Sequence, residues 1–376
     1  MKTNNTRILH FMSDEKVISN TIQYFEEALP GLNKFLIVIP TTNYECQHVK
    51  IKSDSVIFTT YDSETFWTEV GNLSQYKYVI YHYLTKSAVD FTLRVNYDNF
   101  CWIIWGADLY NEVLSAYGYQ LYPPANIIKK IKSGLQKVIY YKKKVLQKED
   151  LDKKIQAIKK IKYLHMSASG FNNLKENIPD IGEHKLIQGF FYYPIDALIP
   201  KQMLDKQVQG NSIIVGNSAS LTNNHIHVFE QLCNLNIGRR KVIVPLSYGA
   251  NKKQVLKKGR KMLGANFYPL QDFLPLDDYN KLLLDSNTFI YGNYRAEAVG
   301  NILVALFAGG TVFLDVKNPL LKKYKEMGFV IYSIDELPSK IDYRLTSTER
   351  DINRKIIEDN YSYCRLINNI RTIWGG

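Results

Sequence analysis

The sequence predicts two Rossmann-like, doubly wound α/β units facing a central cleft, each a parallel sheet covered by helices. Three observations predict it. Short strand-like apolar runs alternate with amphipathic helical patterns along most of the chain, and such alternation implies parallel strands joined by helices. The runs fall into two series, separated by the stretch Pro194 to Gly210. A chain of 376 residues, 45% apolar and 22% charged, is long enough for two cores of ordinary size.

The first series opens with the apolar run Arg7 to Phe11, then an amphipathic pattern from Val17 to Leu29 that stops at Pro30-Gly31. Strand-like runs follow at Phe35 to Pro40, Ser55 to Thr59, Tyr78 to Tyr83 and Phe100 to Trp105. The second series runs through Ser212 to Val215, Lys241 to Pro245, Ala265 to Tyr268, Thr288 to Tyr291, Thr311 to Leu314 and Val330 to Ser333. The last stretch, Ser347 to Ile373, reads as helix with few breakers. These boundaries give a first domain over residues 1–195, a second over 196–345, and a terminal helix over 346–376 assigned to the first domain by analogy alone. Ligands of such sheets bind outside the carboxyl ends of the strands.

Composition excludes several classes. No run of about 18 apolar residues exists, and the amino terminus lacks the apolar stretch of a secretory signal, so a cytoplasmic protein is expected. Cys46, Cys101, Cys233 and Cys364 are scattered, and the histidines do not join them at metal-ligand spacing. Neither a metal site nor a cofactor is expected. The net charge is +12, and the 37 residues from Asn126 to Lys162 hold thirteen lysines against three acidic residues. Within that stretch, Lys129, Lys130, Lys132, Lys137, Lys142, Lys143 and Lys144 surround apolar positions at helical spacing. An apolar stripe flanked by lysines suits an anionic membrane surface; a charged face packed on the sheet is the alternative. No RNA-binding aromatic motif, zinc finger or helix-turn-helix pattern accompanies it, so nucleic acid is not expected.

Three segments carry candidate chemistry. The run Ile213 to Ser220 is a buried strand entering small polar residues ahead of a helix; Gly216, Asn217 and Ser218 then suit a diphosphate held without metal, or form an ordinary turn. The run Gly292 to Asn301 places Gly300 and Asn301 at a helix start, with Arg295 either neutralising a departing diphosphate or pairing with Glu297. The run Trp102 to Tyr110 ends a strand in Gly-Ala-Asp, where Asp108 either takes a proton from an acceptor hydroxyl or caps the following helix. His10 and His82 close two strands of the first series and are candidates for the same region.

At these segments the chain resembles the TDP-N-acetylfucosamine:lipid II N-acetylfucosaminyltransferases of glycosyltransferase family 56, which act in enterobacterial common antigen assembly. The likeness rests on Trp102 with Ile104 to Tyr110, Val215 to Ser218 with His225-Ile226, Val244-Pro245 with Tyr248, Asp277 with Tyr279, Arg295, Gly300 and Asn318-Pro319. The sequence departs from the family pattern after His10, which is followed by Phe11-Met12-Ser13-Asp14, and around Arg295 at Ala296, Glu297 and Ala298. The resemblance implies a GT-B fold, a TDP-activated 4-acetamido-4,6-dideoxyhexose donor, an undecaprenyl-diphosphate-linked saccharide acceptor, and peripheral attachment to the cytoplasmic face of the inner membrane. On this reading the second domain grips the donor through Gly216, Asn217, Ser218, Tyr248, Tyr279, Arg295, Gly300 and Asn301. The first offers His10, His82 and Trp105 to the acceptor, with Asp108 as base. The alternatives are a GT-B transferase using a UDP- or GDP-sugar for capsule or O-antigen, and a non-catalytic polyanion- or nucleotide-binding protein.

Overall fold

A computed structural model of the protein describes residues 7–123, 148–199 and 204–376, and these divide into two compact units. Residues 7–119, 148–193 and 363–376 form the first; 120–123, 194–199 and 204–362 form the second.

The first unit contains β1 (Ile8–Met12), α1 (Ile18–Ala28), β2 (Asn33–Ile39), β3 (Val56–Thr60), α2 (Glu64–Val70), β4 (Tyr78–His82), α3 (Lys86–Arg94) and β5 (Phe100–Ile103). After these come α4, helical over 148–160, then β6 (Tyr163–His165), α5 (Ala168–Asn177) and β7 (Lys185–Ile187). The strands form one parallel sheet in the order β3-β2-β1-β4-β5-β6-β7. All five residues of β1 are buried, as expected of a central parallel strand covered on both faces. Helix starts are set by side-chain caps: Ser63 accepts from the Phe66 N–H, Thr85 from Ala88 and Ser167 from Gly170.

The second unit begins with α6 (Ile195–Leu198) and continues through β8 (Ser212–Val215), α7 (His225–Cys233), β9 (Val242–Pro245), α8 (Lys252–Leu263), β10 (Phe267–Leu270), α9 (Leu276–Leu284) and β11 (Ser286–Tyr291). It ends with α10 (Val299–Phe307), β12 (Thr311–Leu314), α11 (Pro319–Glu326), β13 (Tyr332–Ser333), α12 (Leu337–Lys340) and α13 (Ser347–Tyr361). Its parallel sheet runs β10-β9-β8-β11-β12-β13. Helix α10 is buried from Ile302 to Phe307, which accounts for its uniformly apolar sequence.

The tail read as one helix is two. Ser362 takes an extended conformation with ψ 161° and ends α13; α14 (Tyr363–Trp374) follows and belongs to the first unit. There Leu366, Ile367, Ile370 and Trp374 enter the core beside Ile22, Phe25 and Ala28 of α1. No helix among the described residues is long and apolar enough to cross a membrane.

Candidate active site

In the second sheet the chain leaves β8 toward β9 on one side, while β11 leads to β12 on the other. The loops after β8 and β11 therefore flank the topological switch point, where such sheets bind ligands. Gly216 has φ +70°, and a Cβ there would lie 2.6 Å from Asn223 Oδ1 and 2.8 Å from His225 Nε2, so only glycine fits. Asn223 pins the loop: its Oδ1 accepts from the Asn217 N–H at 2.9 Å and its Nδ2 donates to Ser218 Oγ at 3.2 Å. Asn224, itself left-handed at φ 49°, donates to the carbonyls of Gly292 at 2.8 Å and Leu121 at 3.2 Å, tying one loop to the other.

One expectation fails here. The Ser218 hydroxyl is buried, donates to Ser220 Oγ, and accepts from the Ser220 N–H and Asn223 Nδ2. Its hydrogen-bonding capacity is fully used within the loop, so Ser218 contributes to the site through backbone alone.

In the loop after β11, Glu297 Oε2 accepts from Thr222 Oγ1 at 2.7 Å and Asn293 Nδ2 at 2.9 Å, and it lies 3.0 Å from Arg295 Nη2 in an ion pair. The ion pair is almost out of solvent, with side-chain exposures of 11% for Arg295 and 14% for Glu297. Arg295 thus does pair with Glu297, through Nη2, and its buried Nε has no protein partner. Ala298 is left-handed at φ 60°, and α10 starts behind it with no side-chain cap. The N–H groups of its first turn, which include those of Gly300 and Asn301, lack intrahelical partners, and the helix dipole favours an anion there.

Among the described residues, six buried side-chain nitrogen and oxygen atoms without a hydrogen-bond partner lie at this switch point. They are Asn217 Oδ1, Asn224 Oδ1, both ring nitrogens of His225, Asn293 Oδ1 and Arg295 Nε. Buried polar atoms are normally satisfied, so their concentration in two facing loops makes this the candidate site for a polar ligand. His225 is held neutral, its pKa lowered to about 3 by burial. Tyr248 stands exposed beside the first loop, with its hydroxyl 3.4 Å from Asn217 Nδ2. The half-buried Tyr279 lies near it, its hydroxyl pushed up to about 12 by burial and then by Tyr248.

The first unit corrects three assignments. His10 and His82 sit on β1 and β4 at that sheet's switch point, but both are buried and enclosed by protein. His10 Nδ1 lies 3.0 Å from His82 Nε2, His10 Nε2 lies 3.2 Å from Asn33 Oδ1, and His82 Nδ1 lies 3.2 Å from the Tyr192 hydroxyl. The Tyr192 oxygen accepts from Trp105 Nε1. Burial lowers the pKa of His10 to about 3 and that of His82 well below its usual value, so both rings are neutral. Hydrogen positions then follow: the indole donates to Tyr192, Tyr192 to His82 Nδ1, His82 Nε2–H to His10, and His10 Nε2–H to Asn33. The histidines are therefore interior supports for Trp105, which is partly exposed, and not surfaces for an acceptor.

Asp108 is likewise fully buried. Its Oδ2 accepts from Trp102 Nε1 at 2.7 Å and the Leu84 N–H at 3.2 Å, and Oδ1 accepts from the Trp105 N–H at 3.1 Å. Burial raises its pKa against these donors. The carboxylate ties the ends of β4 and β5 together and does not cap its own short helical turn, Ala107–Asn111. Above it, Tyr83 adopts φ +80°, meets Trp105 edge-on at 5.9 Å and donates to Glu112. Glu112 in turn pairs with the buried Lys154 at 2.6 Å.

The seven lysines from Lys129 to Lys144 assigned to membrane contact lie outside the described residues. The carboxyl-terminal part of the basic stretch is folded into the first unit: Lys154 and Lys159 pair with Glu112 and Asp180, Lys160 donates to the Thr92 and Val95 carbonyls, and Lys162 to Asn99. Sequence reasoning missed Asn223 and Asn224, whose side chains organise the loops after β8 and β11, and gave Glu297 no role beyond pairing. The Thr-Asn-Asn-His run ahead of a helix was the available signal.

Residues 157–358, more than half of the chain, match the family described as 4-alpha-L-fucosyltransferase glycosyl transferase group 56. Among solved structures, sucrose-phosphate synthase from Thermosynechococcus elongatus is similar with a TM-score of 0.63 and 9% identity, covering 98% of each chain. HepE from Anabaena, in complex with UDP and glucose, is similar with a TM-score of 0.59 and 12% identity over 98% of this chain and 99% of that one. WaaG, a glycosyltransferase involved in lipopolysaccharide biosynthesis, has a TM-score of 0.55 and 10% identity over 98% and 100%. At such identities the likeness is one of fold, and that fold is GT-B. The chain belongs to the glycosyl transferase group 56 family and is a hexosyltransferase of GT-B architecture.

Proposed function

We propose that this glycosyltransferase moves a 4-acetamido-4,6-dideoxyhexose from a TDP-sugar onto an undecaprenyl-diphosphate-linked saccharide at the cytoplasmic face of a bacterial inner membrane. The observation that carries the donor half is the cluster of partnerless buried polar atoms at the switch point of the second sheet, beside Arg295 and the uncapped start of α10. Backbone N–H groups from Gly216 to Ser218 and from the first turn of α10, at Gly300 and Asn301, hold the diphosphate. Arg295, held beside Glu297, neutralises the charge that grows on the diphosphate as the anomeric C–O bond breaks, while the acceptor hydroxyl oxygen bonds to carbon and its proton passes to the departing diphosphate. Trp105 faces the acceptor, and Asp108 positions the Trp105 backbone; this replaces its reading as the base.

The family supports sugar transfer, and the involvement of WaaG in lipopolysaccharide biosynthesis agrees with a lipid-linked acceptor. HepE holds UDP and glucose, which favours a UDP-sugar as the second reading. Titration calorimetry with TDP-, UDP- and GDP-sugars, followed by mass spectrometry of undecaprenyl-diphosphate saccharide after incubation with the preferred donor, tests both halves. A preference for UDP- or GDP-sugars refutes the TDP donor, and binding without product refutes the acceptor. For the membrane, changing Lys129, Lys130, Lys132, Lys137, Lys142, Lys143 and Lys144 to glutamate releases the protein from anionic vesicles; retained vesicle binding refutes that part.

A further inference from the structure

Two large aromatic side chains stand out of the second unit next to the proposed diphosphate loop: Tyr248, 49% exposed, and Phe273, 70% exposed. They come from the loops after adjacent strands β9 and β10, on the carboxyl edge of the sheet. Their ring centroids are 6.5 Å apart and the planes differ by 31°. That separation is close to twice the ~3.4 Å thickness of a stacked base.

The position of Tyr248 is fixed. Its carbonyl accepts from the Ala219 N–H at 2.6 Å, and the Asn251 N–H donates to the Ala219 carbonyl at 2.9 Å, so the two loops are clipped together through the backbone on either side of Gly249. Gly249, at φ +107°, makes that approach possible, because a Cβ there would lie 2.4 Å from the Ala219 carbonyl carbon. Lys252 Nζ donates to the Gln271 carbonyl at 3.0 Å, linking the Tyr248 loop to the one bearing Phe273. The Tyr248 hydroxyl meets Asn217 in the proposed diphosphate loop. A nucleoside whose phosphates lie on Gly216 to Ser218 therefore has an aromatic platform next to it, presented by a preordered loop.

We infer that Tyr248 and Phe273 form the nucleobase subsite of the donor, the base stacking against both rings. This rests on the donor-site reading above. Every base has a π-face, so stacking supplies affinity for a nucleoside diphosphate while leaving the choice of base to groups at its edge.

The test is calorimetric titration of the full chain, and of its Phe273→Ala and Tyr248→Ala variants, with TDP, UDP, GDP and inorganic pyrophosphate, with Phe273→Trp as the rescue. The subsite predicts that each alanine variant loses roughly 5- to 150-fold in affinity for the nucleoside diphosphate the wild type binds. Pyrophosphate affinity is unchanged, and Phe273→Trp recovers nucleotide binding. Wild-type affinity for the nucleotide in both alanine variants overturns the subsite but leaves the diphosphate site standing. A parallel loss for pyrophosphate overturns it too, since the effect is then on the loop. A wild-type protein that binds none of the three nucleotides overturns the donor site itself.

Discussion

Lowering the pH from 7.5 to 5.0 destabilises the first unit through its two interior histidines. His10 has a folded pKa of about 3 against an ordinary 6.5, and His82 is also lowered, each because burial penalises the charged ring. With the folded value depressed, the unfolded chain binds protons first, so stability is present above pH 6.5 and falls as pH drops from there toward the folded value. At pH 5.0 the loss is about 1.4 kcal/mol for each of 1.5 pH units, or about 2 kcal/mol for His10, and His82 adds to it in the same direction. That is a large part of a typical domain stability of about 5–15 kcal/mol. Asp108, raised by burial, acts in the opposite sense, whereas Asp14, lowered on balance by backbone donors despite its burial, keeps its contribution until the pH falls below about 4. The assay is urea unfolding followed by tryptophan emission, since Trp67, Trp102, Trp105 and Trp374 all belong to the first unit. The same unfolding midpoint at both pH values refutes the neutral-histidine account of this core.

Three substitutions probe the rest. Tyr192→Phe strands the buried acceptor His82 Nδ1 and releases the Trp105 indole, costing about 1–3 kcal/mol in urea unfolding and shifting tryptophan emission; unchanged emission refutes the link to Trp105. Asp108→Asn keeps one acceptor oxygen for three donors and lowers stability by about 1–3 kcal/mol, whereas full stability with abolished transfer restores its reading as the base. Gly216→Ala forces a Cβ against Asn223 and His225 at positive φ, so nucleoside diphosphate binding by calorimetry drops more than about tenfold, with a stability loss above about 1 kcal/mol.

The fold class was legible because central parallel strands must be apolar on both faces, and β1, β4, β8 and β11 announce themselves that way. Two strands escaped, β6 (Tyr163–His165) and β7 (Lys185–Ile187), each of three residues, one directly after the lysine-rich stretch and the other at the sheet edge. The division of the tail escaped too, since Ser362 carries no glycine or proline signal. At the site, glycine and asparagine at strand ends were readable because backbone geometry demands them. Burial of a titratable side chain was not: nothing local distinguishes a histidine that ends a strand facing ligand from one that faces Phe35 and Asn33. Nor does the residue type of Asp108 or Ser218 tell whether its lone pairs are already taken.

The file of hydrogen bonds from Trp105 to Asn33 has a sense of travel set by its ends, because an indole nitrogen only donates and an amide oxygen only accepts. Replacements are thereby governed by a grammar. Any residue put in place of His82 must receive from Tyr192 with one atom and give to His10 with another, which glutamine has the atoms to do and leucine does not. A single wrong word would leave the sentence unfinished at Trp105, which with Tyr192 forms the partly exposed end of the file.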